Sequence, residues 1–393
     1  MKVIQLSSAL VLCLLIISSG RIAQSGQSGP GTGRDSISTI RISFVGDIMC
    51  HMPQVNNAQI GTDSFDFTPS FTPVKAWFES DDLTIGNFET TCAGREIGYS
   101  GYPLFNTPDG FVTALKESGF DLLLTANNHA MDQGVAGMVR TLGVIREHGL
   151  GYTGAFKSTA DRDSARIYKI RGIRIAVLNY TYGSNQGFPA DSAGFLNRID
   201  TLRIRQEIGK AHADSVDLVI LCFHFGEEMN REATPYQDSV VQASIRAGAD
   251  LIIGSHPHMI GPVSFFKTNE GRLDTGFVAF SLGNFISNQY WRYTDAGVIL
   301  QVEFAKVSLS RDIRLSGIRY LPTWVYRGTN PQREMHIVYP AEMAVMDTNL
   351  IWLEPDSRKT AREAFKDTRS KLGLPGLSII LYRSSVAPND TVP

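Results

Sequence analysis

Several short apolar runs in this sequence end directly in a group that can bind a metal ion. FVG leads into Asp47, TIGNF into Glu89, LLLTAN into Asn128 and His129, LCF into His224, and LIIGS into His256 and His258. Imidazole suits zinc, iron and nickel; carboxylate and amide oxygens suit harder ions such as manganese, and a carboxylate can bridge two ions. Two ions about 3.5–4 Å apart would clamp the attacking and leaving oxygens of an in-line displacement and lower the pKa of a bound water from about 15.7 towards 7. The donor set therefore predicts a site for two divalent metal ions, manganese, zinc or iron, and hydrolysis as its chemistry. Each group also has an ordinary reading: Asp47 as a turn cap, Asn127 and Asn128 as turn formers, His224 as a satisfied polar core residue.

The runs read as strands of an α/β fold: IRISFV (40–45), LTI (83–85), FDLLLT (120–125), IRIAVLNY (173–180), DLVILCF (217–223) and DLIIG (250–254). Between them GVAGMVRTLGVIREHG and SVVQASIRAGA carry apolar residues at three- and four-residue spacing and finish near Gly, as helices do. In open α/β sheets ligands bind outside the carboxyl ends of the strands, so the donors are expected at one edge. After His258 the sequence turns to hairpin signals, GFVAFSLGNF, GVILQVEFAKVSLS and DIRLSGIRYLPTWVY, predicting a second, antiparallel stretch of sheet. A helix is expected from Glu354 to Lys371.

Composition narrows the partners. At 43% hydrophobic and a formal charge of −2, the chain has core-forming content and no basic footprint for nucleic acid. Lys2, the apolar run Val3–Ile17 and the small residues Ser18, Ser19 and Gly20 read as a signal peptide over residues 1–25, placing the protein in the periplasm or outside the cell. An uncleaved anchor is the alternative. Cys13 follows Leu12 rather than a small residue, which argues against a lipoprotein cysteine. Residues 26–38 are Ser/Gly-rich and read as a flexible linker. Cys50, Cys92 and Cys222 lack the close spacing of a structural zinc knot, and disulfides are not expected to hold the fold. Cys50 and Cys92 each follow a candidate ligand by three residues, which leaves a disulfide between them open.

The ordered series GD47, GNFE89, NNH129, His224 and SH256PH258 resembles that of calcineurin-like metallophosphoesterases. FVGDIM, IGNFETT, TANNHAMDQG, HFGEE, GADLIIGSHPHMIGP and FSLGNF resemble more closely the CapA-type proteins of poly-gamma-glutamate capsule synthesis, over residues 40–290. The resemblance implies a four-layer αββα sandwich, two sheets between helices, over residues 39–305, with 306–393 as a C-terminal extension. By position it implies Asp47 and His258 on one ion, Asn128, His224 and His256 on the other, and Glu89 bridging. His129 would donate a proton to the leaving group, oriented by Asp132. General phosphoesterases carry His where this chain has Met49; His51 is read as its substitute or as a neighbour of the site. Glu228 and Asn284 are read as facing substrate or a ligand, with loop roles as alternatives. His148, His212 and His336 are read as structural, and Tyr290, Trp291 and Tyr293 as packing or a substrate wall. The expected substrate is a cell-surface polymer or a small phosphoester, with capsule-synthesis membrane proteins as partners. The competing expectation is a non-catalytic assembly or polymer-binding component that keeps the site.

Overall fold

Strands buried on both faces read as near-continuous apolar runs, and successive side chains then divide between two cores. A computed structural model describes residues 37–163, 167–188, 194–268, 270–307, 312–329 and 333–381; the signal-peptide reading lies outside them. From Ile37–Ile48, Ile40, Ile42 and Phe44 point to one side, while Val45 and Ile48 pack on another. Along Leu218–His224 the same alternation sends Leu218, Ile220 and Cys222 one way and Val219, Leu221 and Phe223 the other.

The first sheet runs in the order Glu334–Pro340, Ile313–Thr329, Ala296–Val307, Ile37–Ile48, Leu83–Phe88, Leu122–Leu124, Gly151–Thr153. Its half from Ile37–Ile48 to Gly151–Thr153 is parallel and the other pairs along this order are antiparallel, while Asn284–Ile286 pairs parallel with Ile37–Ile48 and Leu377–Ile379 parallel with Ile313–Thr329. The second sheet runs Val263–Lys267, Thr275–Ala279, Leu251–Ser255, Leu218–His224, Ile173–Thr181, Ile167–Ile170. It is parallel except at its edges. Ile40, Ile42 and Phe44 of the first sheet meet Ile175, Val177, Ile220 and Ile253 of the second in one continuous core. Val55, Val74, Leu115 and Leu142 lay helices over the outer face of the first sheet. Ile204, Ile208, Val240 and Val241 do the same for the second. The result is the helix, sheet, sheet, helix sandwich.

The antiparallel strands after His258 do not make a separate sheet. Ala296–Val307 fills the free edge of Ile37–Ile48, pairing Val307 with Ile37 through Leu300 with Phe44, and Ile313–Thr329 and Glu334–Pro340 add outside it. The division drawn at residue 305 thus runs through a strand. The helix Pro355–Lys371 closes over Trp324, Tyr326 and Ile337 through Ala361 and Ala364.

At the site end of Ile37–Ile48 the register slips between Val45 and Asp47, where Gly46 lets the Gly283 carbonyl approach and accept from Asp47 N at 2.9 Å. A Cβ on Gly46 would sit 1.9 Å from that oxygen, whereas one on Gly143, in the helix Gly134–Glu147, meets nothing within 4 Å. Urea denaturation should therefore show Gly46→Ala losing about 1–3 kcal/mol or more and Gly143→Ala gaining about 0.5–1 kcal/mol.

Candidate metal centre

The strand ends converge as their order requires. Asp47 is buried and multiply bonded: Oδ1 accepts from Asn87 Nδ2 at 2.8 Å, Oδ2 lies 3.0 Å from His258 Nδ1, and both oxygens lie 3.3 Å from His256 N. His258 Nδ1 also faces Asn284 Oδ1 at 3.1 Å, so two acceptors hold the proton on Nδ1 and leave Nε2 free towards Glu89, 4.0 Å from Oε1. His224 Nε2 lies 2.7 Å from Asn128 Oδ1 and 3.5 Å from Glu89 Oε1. His256 and His258 take φ of +101° and +59°, a left-handed backbone that bulky residues adopt only where surroundings hold it.

In two buried groups the ligand atoms lie within 4.8 Å of one another: Glu89 with His224 and His256, and Asp47 with Glu89 and His258. Glu89 belongs to both. Its carboxylate is fully buried, and among the described residues neither oxygen has a hydrogen-bond partner. Burial, reinforced by the charges of Asp47, Glu228 and Asp132, raises its pKa well above the usual carboxylate range. His256 Nδ1 and Asn87 Oδ1 are likewise buried and, among the described residues, unpartnered. Burial, then neighbouring imidazoles, pushes His224 well below the ordinary histidine value and His256 down to about 3, which keeps their lone pairs available. For His258 burial opposes the charge, but the hydrogen bond and charge of Asp47 outweigh it and raise the pKa. Buried polar atoms without partners are rare because each costs about 1–3 kcal/mol, and this set, acids and neutral imidazoles together, is compatible with metal binding.

His129 stands beside these donors. Its Nδ1 meets Asp132 Oδ2 at 2.7 Å, and the same oxygen accepts from Phe105 N at 2.8 Å. Asn127 Oδ1 accepts from His129 N at 3.1 Å while its Nδ2 donates to Phe88 O at 2.8 Å, fixing the turn to the neighbouring strand. Asp132 therefore sets the ring, and Nε2 lies on its other side, 3.5 Å from Asn185 Nδ2.

The other candidates separate. Met49 is a fully buried core residue and offers no hard donor. His51 lies outside both groups: it caps the helix Met52–Ala58, with Nδ1 3.3 Å from Gln54 Oε1 and from Asn288 N. Burial lowers its pKa to about 4. Glu228 is exposed yet reaches His256 and His258 in a third group. Asn284 orients His258 and donates to Gln289 Oε1 and Thr294 O, each at 2.9 Å. Cys50 and Cys92 are buried free thiols. His148 bonds Val144 O, and His336 bonds Asn57 and Asn288.

Sequence reasoning passed over Asn87, Tyr182 and Asn185. Asn87 had a signal, an amide inside the buried run LTIGNF. Tyr182, whose ring centroid lies 4.6 Å from that of His256, follows a strand end. Asn185 sits in a loop with no marker, held by Asn185 N donating to Asn128 O at 2.9 Å.

Residues 41–289 match the family described as bacterial capsule synthesis protein PGA_cap. The chain belongs to this family. Within it, the chain is 32% identical to the PGA biosynthesis protein CapA of Bacillus subtilis over 290 residues, 68% of this chain and 69% of that one. It is 28% identical to the capsule biosynthesis protein CapA of Bacillus anthracis over 308 residues, 74% and 70% of the two chains. Among solved structures, it is similar to the NAD nucleotidase NadN of Haemophilus influenzae at 11% identity and a TM-score of 0.46, covering 89% of this chain and 65% of that one. It is also similar to the calcineurin-like phosphoesterase YfkN of Bacillus subtilis at 10% identity and a TM-score of 0.39, covering 85% and 98%.

The unpartnered carboxylate makes a testable demand. In chelator-treated protein Glu89→Gln removes a buried carboxyl whose ionisation burial and Asp47 oppose, so its melting temperature should exceed that of chelated wild type, with about 1–3 kcal/mol gained. Added manganese or zinc should stabilise wild type and leave the variant nearly unmoved. An equal response of both proteins to the ions would remove Glu89 from the site.

Proposed function

We propose that this PGA_cap protein is an exported hydrolase of capsule or cell-surface polymer metabolism, holding two divalent metal ions and cleaving a phosphoester or amide bond. The observation that carries the reading is the His129–Asp132 pair, 2.7 Å apart, set beside two donor groups that share Glu89. A site built only to grip a metal has no use for a carboxylate-backed imidazole next to its ligands.

Asp47, Glu89 and His258 would hold one ion, and Glu89, Asn128, His224 and His256 the other. Such ions, when bound, supply Lewis acidity at the scissile group and lower the pKa of water. The protein's own residues do the rest. Asn284 and Asp47 together keep His258 in the tautomer that frees Nε2. Asp132 accepts a hydrogen bond from Nδ1 of His129 and would stabilise the doubly protonated ring, whose Nε2–H is the proton passed to the leaving group; such donation is worth about 10²- to 10⁴-fold. Phe105 packs edge-on to His129 at 4.7 Å between ring centroids, and Tyr182 covers His256, limiting water around both. Export rests on Lys2 and the apolar run Val3–Ile17. No helix among the described residues is long and apolar enough to cross a membrane.

The alternative is a non-catalytic component of capsule assembly, favoured by relatives whose names speak of biosynthesis. A hydrolysis screen on phosphoesters and gamma-glutamyl peptides, with and without chelator, separates the two. We expect chelator-sensitive turnover in wild type, a loss of about 10²- to 10⁴-fold in His129→Ala with metal retained, and loss of both metal and turnover in His256→Ala. Full metal content with no turnover of either substrate class would favour the assembly role.

A further inference from the structure

Two loops border the donor groups on the side of His256 and His258. The first leaves the strand Leu218–His224 and is tied back by Phe225 N to Ser255 O at 3.0 Å and Met229 N to Pro257 O at 2.9 Å. The second follows the strand Asn284–Ile286 and is tied by Asn284, which contacts His258 and donates to Thr294 O. Where the loops meet, the Arg231 guanidinium lies 4.0 Å above the ring centroid of Tyr293. Met229 and Tyr293 adopt φ of +61° and +77°, left-handed conformations of bulky residues on both sides of the contact.

Arg292 packs against the same ring at 4.9 Å, but its charge is taken: Nε and Nη2 reach Asp367 Oδ2 and Oδ1 at 2.9 and 3.0 Å. Arg231 is different. Among the described residues its guanidinium makes no ion pair or hydrogen bond, and its Nε is buried without a partner. The acids beside it in sequence are engaged elsewhere: Glu232 pairs with Lys371 at 2.8 Å, Glu227 accepts from Asn230 at 3.2 Å, and Glu228 reaches the two histidines. An arginine stacked on an aromatic face keeps its in-plane N–H fork free and loses little rotamer freedom when that fork binds an oxyanion.

We propose that Arg231, stacked on Tyr293, forms an anion-binding subsite beside the metal centre, taking a carboxylate or phosphate group of the substrate away from the bond that reacts. The inference rests on the reading of the centre as a substrate-processing site. The subsite and the donors share one framework, through Pro257 on one loop and Asn284 on the other. A substrate anion held by Arg231 is thereby placed at a fixed offset from His258.

The test is equilibrium binding to the full, manganese-loaded chain, at fixed salt, of two separate probes: a fluorescent hexamer of gamma-linked glutamate, and inorganic phosphate. Arg231→Ala should weaken the bound probe about ten-fold or more. Arg231→Lys, which keeps the charge and the packing stem but loses the fork, should fall between, and serves if the alanine variant fails to fold. Arg292→Ala should stay within about two-fold of wild type, because its guanidinium already has Asp367. Dependence on Arg231 for the hexamer alone identifies a carboxylate ligand, and for phosphate alone a phosphate ligand. Wild type binding neither probe, or Arg231 variants binding both as tightly as wild type, overturns the proposal. Binding is read without turnover, so an absence of hydrolysis would sink the function proposed above and leave this test intact.

Discussion

A carboxylate buried among imidazoles, with neither oxygen hydrogen-bonded among the described residues, is a constraint that folding alone does not favour. Glu89 sits at the end of the strand Leu83–Phe88, enclosed by Asp47 on the next strand and by His224 and His258 from the other sheet. Without a cation, the like charges of Asp47 and Glu89 oppose one another, and burial raises the penalty on both. With a cation the same arrangement becomes favourable. The strand order, the slip at Gly46 and the left-handed backbone at His256 and His258 all bring donors to that point.

The two-sheet sandwich explains why the donors come from so many strands. Each sheet presents the carboxyl ends of its parallel strands on the same side, and the core of Ile40, Phe44, Val177 and Ile220 locks one sheet to the other. Asp47, Glu89 and Asn128 are supplied by the first sheet, and His224, His256 and His258 by the second. The candidate metal centre is therefore also a seam between sheets, and misplacing either sheet would separate the donor groups. The contacts of Asp47 with His258 and of Asn87 with His224, at 3.0 and 3.2 Å, cross that seam and orient the imidazoles, while Asn87 also donates to Asp47 within the first sheet.

Much of this was legible in the chain because buried parallel strands leave a plain record: an apolar run broken by one polar residue. Asp47, Glu89, His224, His256 and His258 stand out for that reason, and the apolar spacing of SVVQASIRAGA with its Gly stop marks the end of the helix Pro235–Ala247, whose capped start at Thr234 sequence reasoning passed over. What stayed hidden depends on distant pairing. That Ala296–Val307 would take the open edge of Ile37–Ile48, and so draw the C-terminal strands into the first sheet, is a matter of register between segments some 250 residues apart, which no local pattern encodes. Asn87 was obscured by lying next to a stronger candidate, and Asn185 by lying in a loop. The Arg231 and Tyr293 contact joins two loops and has no spacing signature at all. His51, a residue of ambiguous role in the sequence, is a helix cap with its Nδ1 already engaged.

The most direct test is anomalous diffraction from crystals of the manganese-loaded protein. Two peaks should flank the Glu89 carboxylate, about 3.5–4 Å apart, one within bonding reach of Asp47 and His258 and the other of His224 and His256. Density for manganese elsewhere on the molecule, with none in reach of Glu89, would contradict the assignment of this centre.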